Sequence, residues 1–240
     1  MNCLATFVAL VVLALAVQIQ AYMSSLEDER ILFLLPKVEL HAHLHGSMRL
    51  STIIELAKEQ SISMEDIDTN QISLEVGFKL FGIAHKVIST AQLLRRVFTE
   101  VIHDYMTENT IYLELRTTPR PLPDGTSIDQ YVHELVTMIK QHNEVNADKM
   151  LIRLILSIDR SKPFTNAAEI LRVALSYKLT HSSPIVGLDF SGNPYGVGFM
   201  EFVDLFKRAR DEGLKVTVHT AEIGDSNTNE DETTSILKFR

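Results

Sequence analysis

Leu35-Pro36-Lys37-Val38-Glu39-Leu40-His41-Ala42-His43-Leu44-His45-Gly46 places three imidazoles at alternate positions on an apolar run. Side chains at i and i+2 of an extended strand share a face, so His41 and His43 are predicted to point the same way. Two neutral imidazoles held that close supply half of a zinc or other transition-metal site. The complement lies far downstream in Lys215-Val216-Thr217-Val218-His219-Thr220-Ala221-Glu222, where a second apolar run ends in a histidine and then a carboxylate. Together the two runs read as the hydrolytic core of a metal-dependent enzyme.

Working outward, five runs rich in Val, Ile and Leu predict strands: Val38 to Leu44, Ile111 to Thr117, Leu151 to Ile158, Ile185 to Phe190 and Val216 to His219. Their apolar character predicts a parallel sheet buried on both faces. Between them the period changes to that of a helix. Ile128, Tyr131, Val132, Leu135, Val136 and Ile139 form one continuous stripe, as do Ile170, Leu171, Ala174 and Leu175. Phe202, Val203 and Phe206 begin a further helix that Gly213 is placed to end. Strands alternating with helices imply right-handed βαβ units, hence an α/β barrel or a doubly wound sheet. A mostly helical insertion, residues 75–109, is a candidate lid or pocket wall.

The bulk properties narrow the function. With 240 residues, 45% of them hydrophobic, the chain suits one large core. A net charge of −8 argues against a nucleic-acid or membrane-surface binder, since both need a basic stripe. Cys3 is the sole cysteine, so no internal disulfide forms and no thiol is available near the histidines. Residues 1–22 read as a hydrophobic, signal-like leader, too short for a good membrane span. No Lys or Arg precedes Arg30 and no Asn-x-Ser/Thr site occurs, so the expectation is a cytoplasmic protein starting at Met23, the alternative being secretion. Residues 23–240 then form the single domain.

In a parallel barrel the chemistry sits at the C-terminal strand ends. His41, His43 and His45 close the first run, Arg116 to Arg120 the second, Asp159 and Arg160 the third, Asp189 to Gly192 the fourth and His219 to Glu222 the fifth. Taken with Leu188-Asp189-Phe190-Ser191-Gly192, the two histidine motifs resemble the adenosine and AMP deaminase family of amidohydrolase-type barrels. Tyr112 to Arg120 and Ile158-Asp159-Arg160 are similar to the N6-methyl-AMP deaminase branch of that family. The resemblance covers roughly residues 35–240.

That resemblance implies a TIM-type (β/α)8 barrel with about five of its eight βα units in this sequence. It implies one Zn2+ held by His41, His43 and His219, and hydrolytic deamination of a purine nucleoside monophosphate, with N6-methyl-AMP favoured and adenosine the runner-up. Glu222 is implied as the proton donor to the purine ring. His43, His45, His85, Thr117, Thr118, Pro119, Arg120, Asp159 and Gly192 are implied as substrate contacts. His45 stands where adenosine-specific relatives usually carry an acid, and an imidazole there suits a 5′-phosphate. The implied partner is a small purine nucleotide, and the implied form a monomer without nucleic acid or stable membrane association.

Plainer readings compete. Glu222 at a helix start can interact with the helix dipole, Asp189 can orient a loop, Asp159 can pair with Arg160 or Arg153, and Arg120 can be solvated. His103, His133, His142 and His181 read as surface residues, and residues 225–232 as a solvated loop running into a helix. The family also places an activating histidine and two aspartates beyond the fifth unit. Their absence from this sequence, and the edges of an unclosed sheet, predict weak or no turnover; a non-catalytic truncated product is the rival reading.

Overall fold

The computed structural model describes residues 30–65, 67, 74–180, 182–222 and 227–239. The leader and His181 lie outside the described residues. Among the described residues five strands form one sheet: β1 (Lys37–His43), β2 (Thr110–Thr117), β3 (Leu151–Asp159), β4 (Ile185–Ser191) and β5 (Lys215–Val218). Every neighbouring pair is parallel and the spatial order is the chain order, β1-β2-β3-β4-β5. A doubly wound sheet reverses its order at a switch point. This one does not, so the architecture is the TIM-type α/β barrel, present as an arc of five strands.

Helices link the strands. α1 (Leu50–Glu59), α2 (Leu74–Val87) and α3 (Ala91–Thr107) fill the connection from β1 to β2, so the predicted helical insertion is two helices preceded by another. α4 (Ile128–Asn146) follows β2 and α5 (Phe164–Lys178) follows β3. A 3-10 turn at Phe199–Phe202 leads into α6 (Val203–Asp211), and α7 (Asn227–Lys238) follows β5. Among the described residues no helix is long and apolar enough to cross a membrane.

The six-residue stripe of α4 is buried in full, as its period requires. Its start is fixed by a capping box in which the Ser127 hydroxyl accepts from Gln130 N and the Gln130 side chain accepts from Ser127 N. Gly213 ends α6 at φ +80°, its N–H donating 2.7 Å to Arg210 O.

The sheet corrects one expectation. Its convex face is the apolar one, where Leu113, Leu115, Leu154, Leu156, Leu188 and Phe190 have no exposed surface, while the concave face keeps only Ile155 as a buried apolar side chain among the described residues. Each such fully buried side chain contributes roughly 2 kcal/mol of hydrophobic stabilisation. The concave face carries Arg116, Ser157, Asp189 and Thr217, joined by hydrogen bonds. Beyond β4, Phe190 packs against Phe199, Phe202 and Phe206 with ring centroids 5.2–5.8 Å apart, an aromatic block that seats the strand from which the site is built.

Candidate active site

β1 alternates, so His41 and His43 emerge on the concave face with ring centroids 5.3 Å apart. His219 directly follows β5 and is held by its backbone N–H, which donates 2.8 Å to Phe190 O. Its Nε2 lies 2.9 Å from His41 Nε2 and 3.1 Å from His43 Nε2. One ring nitrogen from each of the three falls within 4.8 Å of the others.

Asp189 explains the orientation of His219. Its Oδ1 lies 3.1 Å from His219 Nδ1, which also faces Phe190 O at 3.1 Å, so Nδ1 carries the proton and Nε2 presents a lone pair. The same carboxylate accepts from Arg116 at 2.9 Å, Thr217 at 2.8 Å and Ser157 at 2.9 Å. Asp189 is wholly buried and orients a ring, where the plainer reading had it orienting a loop. Burial works against its charge, yet His219, Arg116 and Thr217 hold its carboxyl at about 2.

The imidazoles are tuned for donation of lone pairs. Burial, more than any neighbouring charge, lowers His43 to about 4 and also lowers His41. Burial lowers His219 as well, but the hydrogen bond and charge of Asp189 outweigh it and leave the ring raised. Three imidazole nitrogens aimed at one point, one of them fixed by a carboxylate behind it, fit a three-histidine ligand set for zinc.

A cavity of roughly 1250 Å³ opens beside this cluster. His43, His219 and Glu222 lie in its wall, as do His45, His85, Thr118, Pro119, Arg120, Asp159 and Gly192. Phe78, Phe81 and Lys86 of α2 form another side, so the insertion is a wall of the cavity. Ala221 takes φ +58°, an uncommon left-handed turn for a residue with a Cβ, between His219 and the exposed Glu222.

Gly192 sits at φ +99°, and a Cβ there would collide with Asp159 Oδ1. That same oxygen accepts from Ser161 N at 2.9 Å and Ser161 Oγ at 2.7 Å. His45 is buried and stacked on His85, centroids 3.8 Å apart and planes 7° apart. Burial pushes His45 well below the usual imidazole range and His85 down to about 4, with Arg120 adding to both shifts.

Several residues fall elsewhere than the sequence suggests. Thr117 is outside the cavity wall: its hydroxyl lies 2.7 Å from Tyr131 Oη, both groups buried. Arg120 is largely buried and engaged by protein, not solvated. Arg160 pairs with Glu232 of α7 and stacks 4.9 Å over Phe190, so it is not the partner of Asp159, and Glu232 is not merely solvated. His142 is half-buried and bonds Met150 O at 2.9 Å, whereas His103 and His133 are exposed. Sequence reasoning missed the Arg116–Asp189 pair and Tyr131.

Comparison with known proteins places this geometry. The family profile described as adenosine deaminase matches residues 36–235. An Arabidopsis thaliana protein named N6-mAMP deaminase is 34% identical over 218 residues, covering 79% of this chain and 61% of its own length. A Xenopus laevis protein named N6-Methyl-AMP deaminase-L is 36% identical over 195 residues, 79% of this chain and 56% of its own. The crystal structure of the Arabidopsis N6-mAMP deaminase superposes with a TM-score of 0.76 at 34% identity, over 88% of this chain and 65% of that one. A related Arabidopsis structure, at 33% identity and TM-score 0.76, is a complex with GMP and matches 88% of this chain and 64% of that one. An amidohydrolase from Burkholderia ambifaria with bound Zn shares the fold, with a TM-score of 0.64 and 21% identity, over 85% of this chain and 57% of its own.

Proposed function

Because the chain belongs to the adenosine deaminase family, we propose that it acts in the zinc-assisted hydrolytic deamination of a purine nucleoside monophosphate, with N6-methyl-AMP as the substrate and IMP and methylamine as products. It spans 61% and 56% of the length of the Arabidopsis and Xenopus relatives, whose names supply the substrate class.

His41, His43 and His219 would hold the ion. When bound, it supplies Lewis-acid activation of water near neutral pH. The remaining work belongs to side chains. Asp189 keeps His219 in one tautomer, so its Nε2 faces the cluster. Glu222, on the cavity wall, gives a proton to the purine ring nitrogen next to the attacked carbon. Water oxygen bonds to that carbon, both water protons pass to the departing nitrogen, and the carbon–nitrogen bond breaks to release methylammonium, IMP keeping the proton that came from Glu222. Gly192 keeps the wall thin where a side chain would intrude on Asp159. Elsewhere in the wall, the paired rings of His45 and His85 offer ring N–H donors to a phosphate.

The observation that carries this reading is the convergence of three imidazole nitrogens, from the two margins of the sheet, beside a cavity that also holds Glu222. The test is to load purified protein with zinc and offer N6-methyl-AMP, AMP and adenosine separately, following methylamine or ammonia. Methylamine release from N6-methyl-AMP, slow beside that of the longer relatives and abolished in Glu222→Gln while IMP binding persists, is expected. Preferential attack on adenosine would replace the nucleotide by a nucleoside, and absence of both turnover and nucleotide binding would remove the reading.

A further inference from the structure

Three neighbouring strands bring their ends to the cavity wall: β3 with Asp159 and Ser161, β4 with Ser191 and Gly192, and β5 with His219 and Glu222. Arg160 is buried outside that wall and ties the first two together. Its backbone N–H donates 2.9 Å to Ser191 O, and its Nε donates 2.8 Å to Val197 O in the loop after β4. The guanidinium lies 4.9 Å from the centre of the Phe190 ring, and its Nη2 donates to Glu232 Oε1 on α7.

Glu232 brings in the third strand end. Its side chain is 14% exposed, and the oxygen that accepts from Arg160 also accepts from Phe199 N at 2.6 Å. Its neighbour on the helix, Thr233, has its hydroxyl 2.9 Å from that of Thr220. Thr220 directly follows His219, and Ala221, at φ +58°, is the one residue between that tie and Glu222. The helix is thus held to the loop after β4 by an acid and to the turn after β5 by a hydroxyl. A buried ion pair adds little net stability over an apolar contact. What this one fixes is where α7, and the turn bonded to it, sits.

We propose that Glu232 is a positioning residue for the proton donor: paired with Arg160 it seats α7, and through the Thr233–Thr220 bond it fixes the turn that holds Glu222 in the cavity wall. The role rests on the deamination reading above, in which Glu222 gives the proton. A shift of about 1 Å at such a group can cost on the order of 100-fold in rate.

With N6-methyl-AMP as substrate, Glu232→Ala is expected to lower kcat about tenfold while KM stays within twofold of the parent. Thr233→Val keeps the side-chain shape and deletes only the hydroxyl. It should lower kcat about threefold at the same KM, and it serves if Glu232→Ala does not fold. Methyl NMR of the ligand-free full chain should show a lower order parameter at Ala221 in both variants, with that of Ala57, buried on α1, unchanged. In variants of an active parent, an unchanged kcat, a loss that falls on KM, an unchanged Ala221 or equal loosening of both alanines would overturn the proposal. A looser Ala221 in variants of a parent that releases no methylamine would uphold the seating and sink the deamination reading instead.

Discussion

At the scale of single residues, a buried carboxylate governs the cluster. Asp189→Asn leaves Arg116 without its counter-charge and releases His219 to flip its proton onto Nε2. Zinc affinity, measured by chelator competition, is expected to fall about 10- to 100-fold, with stability lowered by roughly 3–5 kcal/mol in denaturant titrations. His85 gives a pH signature. Its folded value, about 4, lies below the ordinary imidazole value of 6.5, so the unfolded chain protonates first. Stability is full above about pH 6.5 and is lost as pH falls toward 4, by on the order of 3 kcal/mol. In His85→Phe, which keeps a ring on the stack, the fall of melting temperature between pH 6.5 and 4 should become shallower by the share of His85, while His43 and His45 keep theirs. Ala221→Gly relieves a left-handed backbone and should raise stability by about 1 kcal/mol. His41, His43 and His219 were legible because alternation and strand-end position are written in the chain. Asp189 was not, because its role depends on the register that sets it opposite Ser157 and Thr217.

Elements were the most readable level. Each strand lies within a residue of its expected bounds, since both the apolar runs and their interruptions are local. The stripe of α4 and its capping box likewise follow from spacing alone. Ser127→Ala removes one half of that box, and chemical denaturation should register a loss of about 1 kcal/mol with zinc affinity unchanged. Less legible was the sheet's two-faced character. Runs such as Leu113 to Leu115 look apolar because their convex residues dominate, while Arg116 and Glu114 read as interruptions and not as a second face. The destination of Tyr131 was hidden for a similar reason. Its place on the stripe announces burial, but a stripe says nothing about where one hydroxyl on it points.

For the molecule as a whole, alternation of strand and helix could not separate a barrel from a doubly wound sheet, because both repeat the same local unit. Only the uninterrupted order of strands does so. At the β1 margin, Val38 and Leu40 are 57% and 53% exposed, with Leu50 and Ile54 of α1 also exposed. Strand margins with apolar flanks pair with other chains. Expressed as these 240 residues, the protein should therefore associate with rising concentration in sedimentation velocity, and Leu40→Lys should shift it toward smaller species. The same margins carry the histidines. β1 and β5 are not neighbours in the sheet, yet His41 and His219, 178 positions apart, come within 2.9 Å. A cation caught there would act as a clasp across the bow of strands, linking its two described margins, β1 and β5. Its arrival should slow amide exchange even in β3, the strand midway between the two margins, so occupancy could be followed as stiffness.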